Sequence, residues 1–175
     1  MCDRCNGATA EDVRRDLLKH VAEHDYATIA VPAERDPLTG LRIPGSHHTV
    51  GLWALRHTPE VIILGAPDHH ARDLVRRYAE RADAGERFAP GYRYDGFIDG
   101  YQITFEHVAE EHYPDWLPTA RALYPDNDFP TLQLLWPKHD HAWPWQGGCY
   151  RFHRAQPVLT TSGTPESWLP GVNGP

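Results

Sequence analysis

Two short apolar runs within residues 46–67, SHHTVGLWALRHTPEVIILGAP, constrain the fold more than any other feature of the sequence. The first run covers residues 49–55 and the second covers residues 61–64, before a Gly-Ala-Pro stop. Both runs are rich in β-branched and aromatic residues and are too short for a buried helix. The segment therefore predicts two central, buried strands with polar residues at their edges.

Two longer helices are predicted, one before these strands in the sequence and one after them. Thr9 is suited to the N-cap of the first helix, and Asp12 three residues later approximates a capping box. The second helix begins near Pro67-Asp68 and ends at Gly85, which is a favourable C′ residue. Its apolar residues follow helical spacing at Ala71, Leu74, Val75, Tyr78, Ala79 and Ala82.

The remaining segments complete an α+β prediction. Strands are expected at 26–31 and 131–136, a hairpin at 93–108, a short helix at 114–124 and an irregular or edge strand at 149–160. Because strands and helices do not alternate regularly, we expect a mixed or mostly antiparallel central sheet with two longer helices and one short helix on one side. Residues 1–160 are predicted to form one domain, and residues 161–175 a mobile or draped C-terminal tail.

Composition excludes several classes of function. The net charge of −7 and the lack of a basic run argue against a nucleic-acid partner, and no apolar segment approaches membrane-spanning length. No Gly-rich phosphate loop follows a predicted strand, so no nucleotide cofactor is indicated. Three cysteines and an N-terminus without signal features predict a reduced, cytoplasmic protein. Oligomeric state is not indicated.

Six segments, in their order along residues 2–159, carry a resemblance to a known family. They are Cys2-x-x-Cys5, TVGLW at 49–53, PEVIILG at 59–65, LQLLWP at 132–137, WPW at 143–145 and QPVL at 156–159. Together they resemble the bacterial domain of unknown function 4262 family, and the resemblance implies no particular activity. Members of that family usually carry an aromatic residue where this chain has His48.

The first candidate site is a Cys/His set near the N-terminus. Its spacing is C-x2-C-x14-H-x3-H, and it consists of Cys2, Cys5, His20 and His24. Two thiolates and two imidazoles one helical turn apart suit a tetrahedral zinc site. The alternatives are a redox pair of cysteines, a disordered N-terminus or histidines at the edge of the core.

The second candidate site lies on the central strands. If these strands pair as a hairpin, His48 and Glu60 lie near the same end of the sheet. A carboxylate that orients an imidazole provides a general base, or two metal ligands. The alternative interpretation is that Glu60 caps a backbone amide and that His47 and His48 are solvated.

The third candidate site is an acidic segment with two histidines at the end of the predicted hairpin. Glu106, His107, Glu111 and His112 lie within seven residues, and two imidazoles with one carboxylate suit iron or another divalent ion. We take His107, Glu111 and His112 as an alternative metal set. Such acidic runs are also typical of solvated faces.

The last candidates are binding residues around predicted strand ends. They are a polar residue in an apolar strand, an imidazole and three indoles: Gln133, His141, Trp53, Trp136 and Trp145. Indoles stack on flat ligands but also fill cores, and a buried amide needs a partner.

From these residues we expect a metal-assisted small-molecule enzyme, with His48 and Glu60 as catalytic residues and a divalent metal, zinc or iron. The alternative is a non-catalytic binding or partner-interaction module with a structural Cys/His zinc clip.

Overall fold

A computed structural model describes residues 9–168 of the chain. Its strands, in chain order, are β1 (Ala27–Val31), β2 (Glu34–Arg35), β3 (Arg42–Ile43), β4 (Ser46–Val50), β5 (Glu60–Leu64), β6 (Arg93–Ile98), β7 (Tyr101–His107) and β8 (Thr131–Leu135). The helices are α1 (Ala10–His24), α2 (Leu52–Arg56), α3 (Asp68–Asp83), α4 (Tyr113–Trp116), α5 (Pro118–Leu123) and α6 (Tyr150–Ala155).

Six of the strands form one sheet with the order β1-β4-β5-β8-β7-β6, while β2 and β3 form a small separate hairpin. Strand β5 pairs with β8 in parallel, and the other neighbouring pairs in the large sheet are antiparallel. The predicted α+β fold with a mixed, mostly antiparallel sheet is therefore confirmed.

Helices cover both faces of the sheet, so the prediction of helices on one side is wrong. Alternate residues of a strand point to opposite faces. Val61 and Ile63 of β5 pack with α3, whereas Ile62 and Leu64 pack with residues of α1, α4 and α5. A strand with every residue buried, as β5 is, needs such a cover on each face.

The helix predictions hold where local signals are strong. Thr9 caps α1, and Thr9 and Asp12 form the predicted capping box. All six apolar positions predicted for the second long helix are buried in α3. Pro118 lies in the first turn of α5, where it replaces no helical hydrogen bond.

Two strand predictions are wrong. Of the apolar run 49–55, only Thr49 and Val50 belong to a strand, and Leu52–Arg56 forms α2. Gly51 causes this change of direction, because its φ of +116° is a conformation that L side chains rarely adopt. In the segment 149–160, residues 150–155 form α6 rather than an edge strand.

Residues 161–168, the described part of the predicted tail, contact the sheet. The hydroxyl of Ser167 donates a hydrogen bond to Glu106 on β7, and Trp168 packs edge-on against Trp143 and Trp145. Within residues 9–168, no helix is long and apolar enough to cross a membrane.

Candidate functional site

The carboxylate of Glu60 is buried at the start of β5 and accepts four hydrogen bonds. Thr49 Oγ1 donates to it over 2.6 Å and the Tyr124 hydroxyl over 2.7 Å. The backbone N–H groups of Gly51 and Trp53 donate over 2.8 Å and 3.1 Å. Glu60 therefore ties β4, α2, β5 and the end of α5 to one point, and the alternative prediction that it caps backbone amides is confirmed.

The donors around Glu60 are arranged to face a carboxylate. Thr49 Oγ1 accepts the N–H of Val61, and the Tyr124 oxygen accepts the N–H of Ala54. Each hydroxyl therefore has one remaining proton, which is directed to Glu60. Burial raises the pKa of Glu60, while the hydrogen bonds from Thr49, Tyr124, Trp53 and Gly51 oppose that rise.

His48 is fully buried in the middle of the sheet, between Ile29 on β1 and Ile62 on β5. Within the described residues, neither of its ring nitrogens has a hydrogen-bond partner. Burial lowers the pKa of His48 to about 3, and the neighbouring His47 adds to this effect. The predicted pairing of His48 with Glu60 is therefore wrong, because the four donors described above occupy that carboxylate.

His47, the preceding residue, points to the opposite face of β4. Its Nε2 atom lies 2.9 Å from Asp68 Oδ1, at the N-terminus of α3. Its residue surface is 6% exposed, so the predicted solvation of His47 is also wrong. Hydrogen bonds from His47 and Arg72 lower the pKa of Asp68. The pair is an imidazole oriented by a carboxylate.

A cavity of about 770 Å³ opens beside this pair. Three stretches line it: residues 30–47, which include the β2–β3 hairpin and His47, residues 65–68 between β5 and α3, and residues 150–155 of α6. His47 and Asp68 both line the cavity. The volume is within the range of small-molecule sites.

Glycines allow the walls of the cavity to approach each other. Gly65 has a φ of +74°, and a Cβ atom at this position would lie 1.9 Å from the carbonyl oxygen of Ala155. The N–H of Gly65 donates over 2.8 Å to the carbonyl of Gly45. The absence of a side chain at Gly65 lets the end of α6 approach the end of β5, and Arg151 and Arg154 of this helix line the cavity.

The predicted binding residue Gln133 has a structural position in the interior of the sheet. Its Nε2 atom donates over 2.7 Å to the Pro157 carbonyl, and its Oε1 atom accepts the N–H of Leu159 over 2.8 Å. Gln156 makes the equivalent pair of hydrogen bonds with the backbone of Trp136. The two glutamines attach residues 156–159 to β8 and leave no free amide for a ligand.

The three predicted tryptophans and His141 lie in different parts of the structure and do not form one site. Trp53 is half-buried and contacts the ring of His57, at 5.3 Å between centroids. Trp145 stacks on Trp143 at 5.2 Å, and His141 lies against Tyr101 at 5.0 Å. Neither these residues nor Trp136 line the cavity beside His47.

The structure describes the whole of the second predicted metal set but only the two histidines of the first. His20 and His24 stack on each other at 4.4 Å on α1, but Cys2 and Cys5 lie outside the described residues. His112 Nε2 donates a hydrogen bond to the carbonyl of Thr160 over 3.1 Å. In residues 9–168, no group of three or more His, Cys, Asp or Glu side chains is placed to hold a metal ion. His107, Glu111 and His112 therefore do not form such a group.

A family model described as domain of unknown function (DUF4262) matches residues 20–150, about three quarters of the chain. The chain belongs to the DUF4262 family. No curated protein and no solved structure matches it.

The DUF4262 match includes the Glu60 centre and the His47–Asp68 pair, while Arg151 and Arg154 lie just beyond its end. Sequence reasoning missed Asp68 and the arginines of the cavity, because nothing in their local spacing marks them. One signal was present for His47. Neighbouring residues of a strand point to opposite faces of the sheet, so His47 and His48 had to lie in different surroundings. At most one of them could lie on the same face of the sheet as Glu60.

Proposed function

We propose that this chain is a small-molecule enzyme whose reaction takes place in the cavity beside β4. The observation that supports this proposal is the His47–Asp68 hydrogen bond of 2.9 Å on the wall of a cavity of about 770 Å³. His47 is the general base, and Asp68 is the positioning residue that orients its ring.

The hydrogen bond assigns a role to each atom of the pair. When Nε2–H donates to Asp68, Nδ1 carries the lone pair that accepts a proton from a substrate or a water molecule. Asp68 also accepts from Arg72 Nε over 3.0 Å, which favours its ionised form. An ionised Asp68 stabilises the imidazolium ion that forms as His47 takes up the proton.

Hydrolysis and lyase chemistry both fit this arrangement, since each requires removal of a proton by a positioned base. His48 and Glu60 are 0% exposed and do not line the cavity, so we assign the chemistry to His47 and Asp68 instead. Assistance by zinc or iron stays part of the proposal.

The test uses the full-length protein and a small-molecule extract of bacterial cells, followed by mass spectrometry. We expect wild type to consume at least one compound of the extract. The variant His47→Gln should slow this consumption about 10²–10⁴-fold. Asp68→Asn should lower kcat with little change in KM, because the new side-chain amide would accept the imidazole N–H but would not stabilise the charged ring.

The matched control is His70→Gln, which changes an exposed imidazole near the start of α3 that does not line the cavity. This variant should keep the wild-type rate. Consumption that is unchanged in His47→Gln, or absent in wild type, would overturn the enzymatic proposal and favour the non-catalytic binding module.

Elemental analysis of the same sample tests the metal. One equivalent of zinc or iron, with consumption that stops on chelation and returns on adding the metal, supports metal assistance. Zinc that is lost in Cys5→Ser, while consumption continues, supports a structural zinc clip. A protein that is active without bound metal excludes metal assistance.

A further inference from the structure

We infer that the cavity binds an amphipathic organic anion, with its acidic group at a cluster of four arginines and its apolar part against the rim. The cluster consists of Arg35, Arg42, Arg151 and Arg154. The inference depends on the proposed function for the location of the site, and it adds the class of ligand.

The first two arginines face each other across the β2–β3 hairpin. Arg35 and Arg42 are direct register partners in this two-stranded antiparallel pair. Like charges directly opposite each other destabilise such a pair. The hairpin is instead held by its turn, where Asp36 accepts the N–H groups of Leu38 and Thr39 over 2.8 Å each.

The other two arginines repeat this arrangement on α6. Arg151 and Arg154 are three residues apart, so they are neighbours on the helix surface. Both line the same cavity as the hairpin pair. Two like-charged pairs from separate elements therefore meet at one space, and an anion placed between them would relieve both repulsions.

These four arginines have no acidic partner within the described residues. None of the four forms a salt bridge; of the ten other described arginines, five do, namely Arg15, Arg56, Arg72, Arg76 and Arg81, and five do not. Among the described residues that line the cavity, Asp68 is the sole carboxylate, and it is hydrogen-bonded to His47 and Arg72. In a chain of net charge −7, four arginines and one carboxylate at a single cavity are a local excess of positive charge.

Apolar side chains surround the arginines at the mouth of the cavity. Val31, Leu41 and Tyr150 line it and are 41%, 50% and 70% exposed. Leu38, at the turn of the β2–β3 hairpin, is 95% exposed. Guanidinium groups recognise carboxylates and phosphates by paired hydrogen bonds, and the apolar rim suits a hydrocarbon or aromatic body.

The test measures binding by calorimetry with four probes: 1-naphthaleneacetate, 1-naphthyl phosphate, the neutral 1-naphthaleneacetamide and inorganic phosphate. We expect at least one naphthyl anion to bind at a single site about tenfold or more tightly than the amide and than inorganic phosphate. The preferred anion identifies a carboxylate or a phosphate as the acidic group. Binding should weaken as salt is added.

Arg42→Gln and Arg154→Gln should each weaken binding of the preferred anion about tenfold, while Arg15→Gln, a distant exposed arginine on α1, should not. Equal affinity for the neutral amide, no binding of either naphthyl anion, or equal effects of all three variants would overturn the inference. If a naphthyl anion binds as expected but the protein consumes no compound of the cell extract, the enzymatic proposal alone would be overturned.

Discussion

His47 and His48 are adjacent in the sequence and lie in two regions with opposite properties. His47 faces the cavity and is paired with a carboxylate that is largely exposed. His48 faces the core, and the described residues offer it no partner. The difference shows that a cluster of histidines in a sequence is not a unit of function, because strand alternation assigns its members to different faces.

We expect the hydrogen-bonded polar residues of the core to contribute more to stability than the polar residues of the cavity. Glu60 and Gln133 form hydrogen bonds with buried backbone groups. In the cavity, by contrast, Arg35 and Arg42 are two like charges placed directly opposite each other. Four changes test this contrast, in order of decreasing effect on stability.

Replacement of Glu60 by Gln should lower the free energy of unfolding by about 3 kcal/mol, because its NH₂ group would face hydrogen-bond donors. Urea unfolding at neutral pH measures this loss. Glu34→Gln, on the exposed β2 strand, should change stability by less than about 0.5 kcal/mol. Similar losses in both variants would mean that Glu60 does not organise the core.

His48 should make stability depend on pH. Its pKa is about 3 in the folded protein and about 6.5 when unfolded, so the unfolded state binds the proton first as pH falls. This contribution is fully present above pH 6.5 and decreases through the acid range, by about 2 kcal/mol between pH 8 and pH 5.

The variant His48→Leu isolates this effect. Its free energy of unfolding should exceed that of wild type by about 1–2 kcal/mol at neutral pH, because two unpartnered nitrogens are removed. The gap should widen at pH 5. A constant gap would show that the pKa of His48 is the same in the folded and unfolded states, which contradicts its burial without a partner.

Gln133→Met should cost about 1–2 kcal/mol, since the Pro157 carbonyl and the Leu159 N–H would lose their partners. Amide hydrogen exchange should become faster at Leu159 in particular. The exposed Gln102→Met provides the comparison, and equal exchange rates in the two variants would contradict the proposed attachment of residues 156–159.

His47→Gln should have the smallest effect, less than about 1 kcal/mol, because Gln can still donate a hydrogen bond to Asp68. Thermal unfolding measures it. A large loss would place His47 in the structural group with Glu60, and the contrast between the two regions would fail.

The sequence predicted elements whose signals are local. Thr9 and Asp12 mark the start of α1, the helical spacing from Ala71 to Ala82 marks α3, and the hairpin predicted at 93–108 forms as β6 and β7. The same reasoning failed at Gly51, where an apolar run turns from strand into helix. There the backbone is held by Glu60, a residue that follows later in the chain.

The cavity was beyond sequence reasoning because its residues come from three separate stretches. Arg42, Asp68 and Arg154 have no spacing that relates them, and only the fold brings them to one space. The buried polar residues were found, but their partners were not. Gln133 was correctly expected to need a partner, and Glu60, in the alternative interpretation, to cap a backbone amide; backbone groups are partners of both.

The contact of Gly65 with Ala155 has a consequence for comparing sequences within this family. A chain with any side chain at this position must seat the helix of residues 150–155 differently, and its arginines would then lie elsewhere. The presence of glycine here can therefore sort family members into those that retain the arginine-lined site and those that have lost or remodelled it. In a saturation mutagenesis scan, every replacement of Gly65 should lower the stability of the protein.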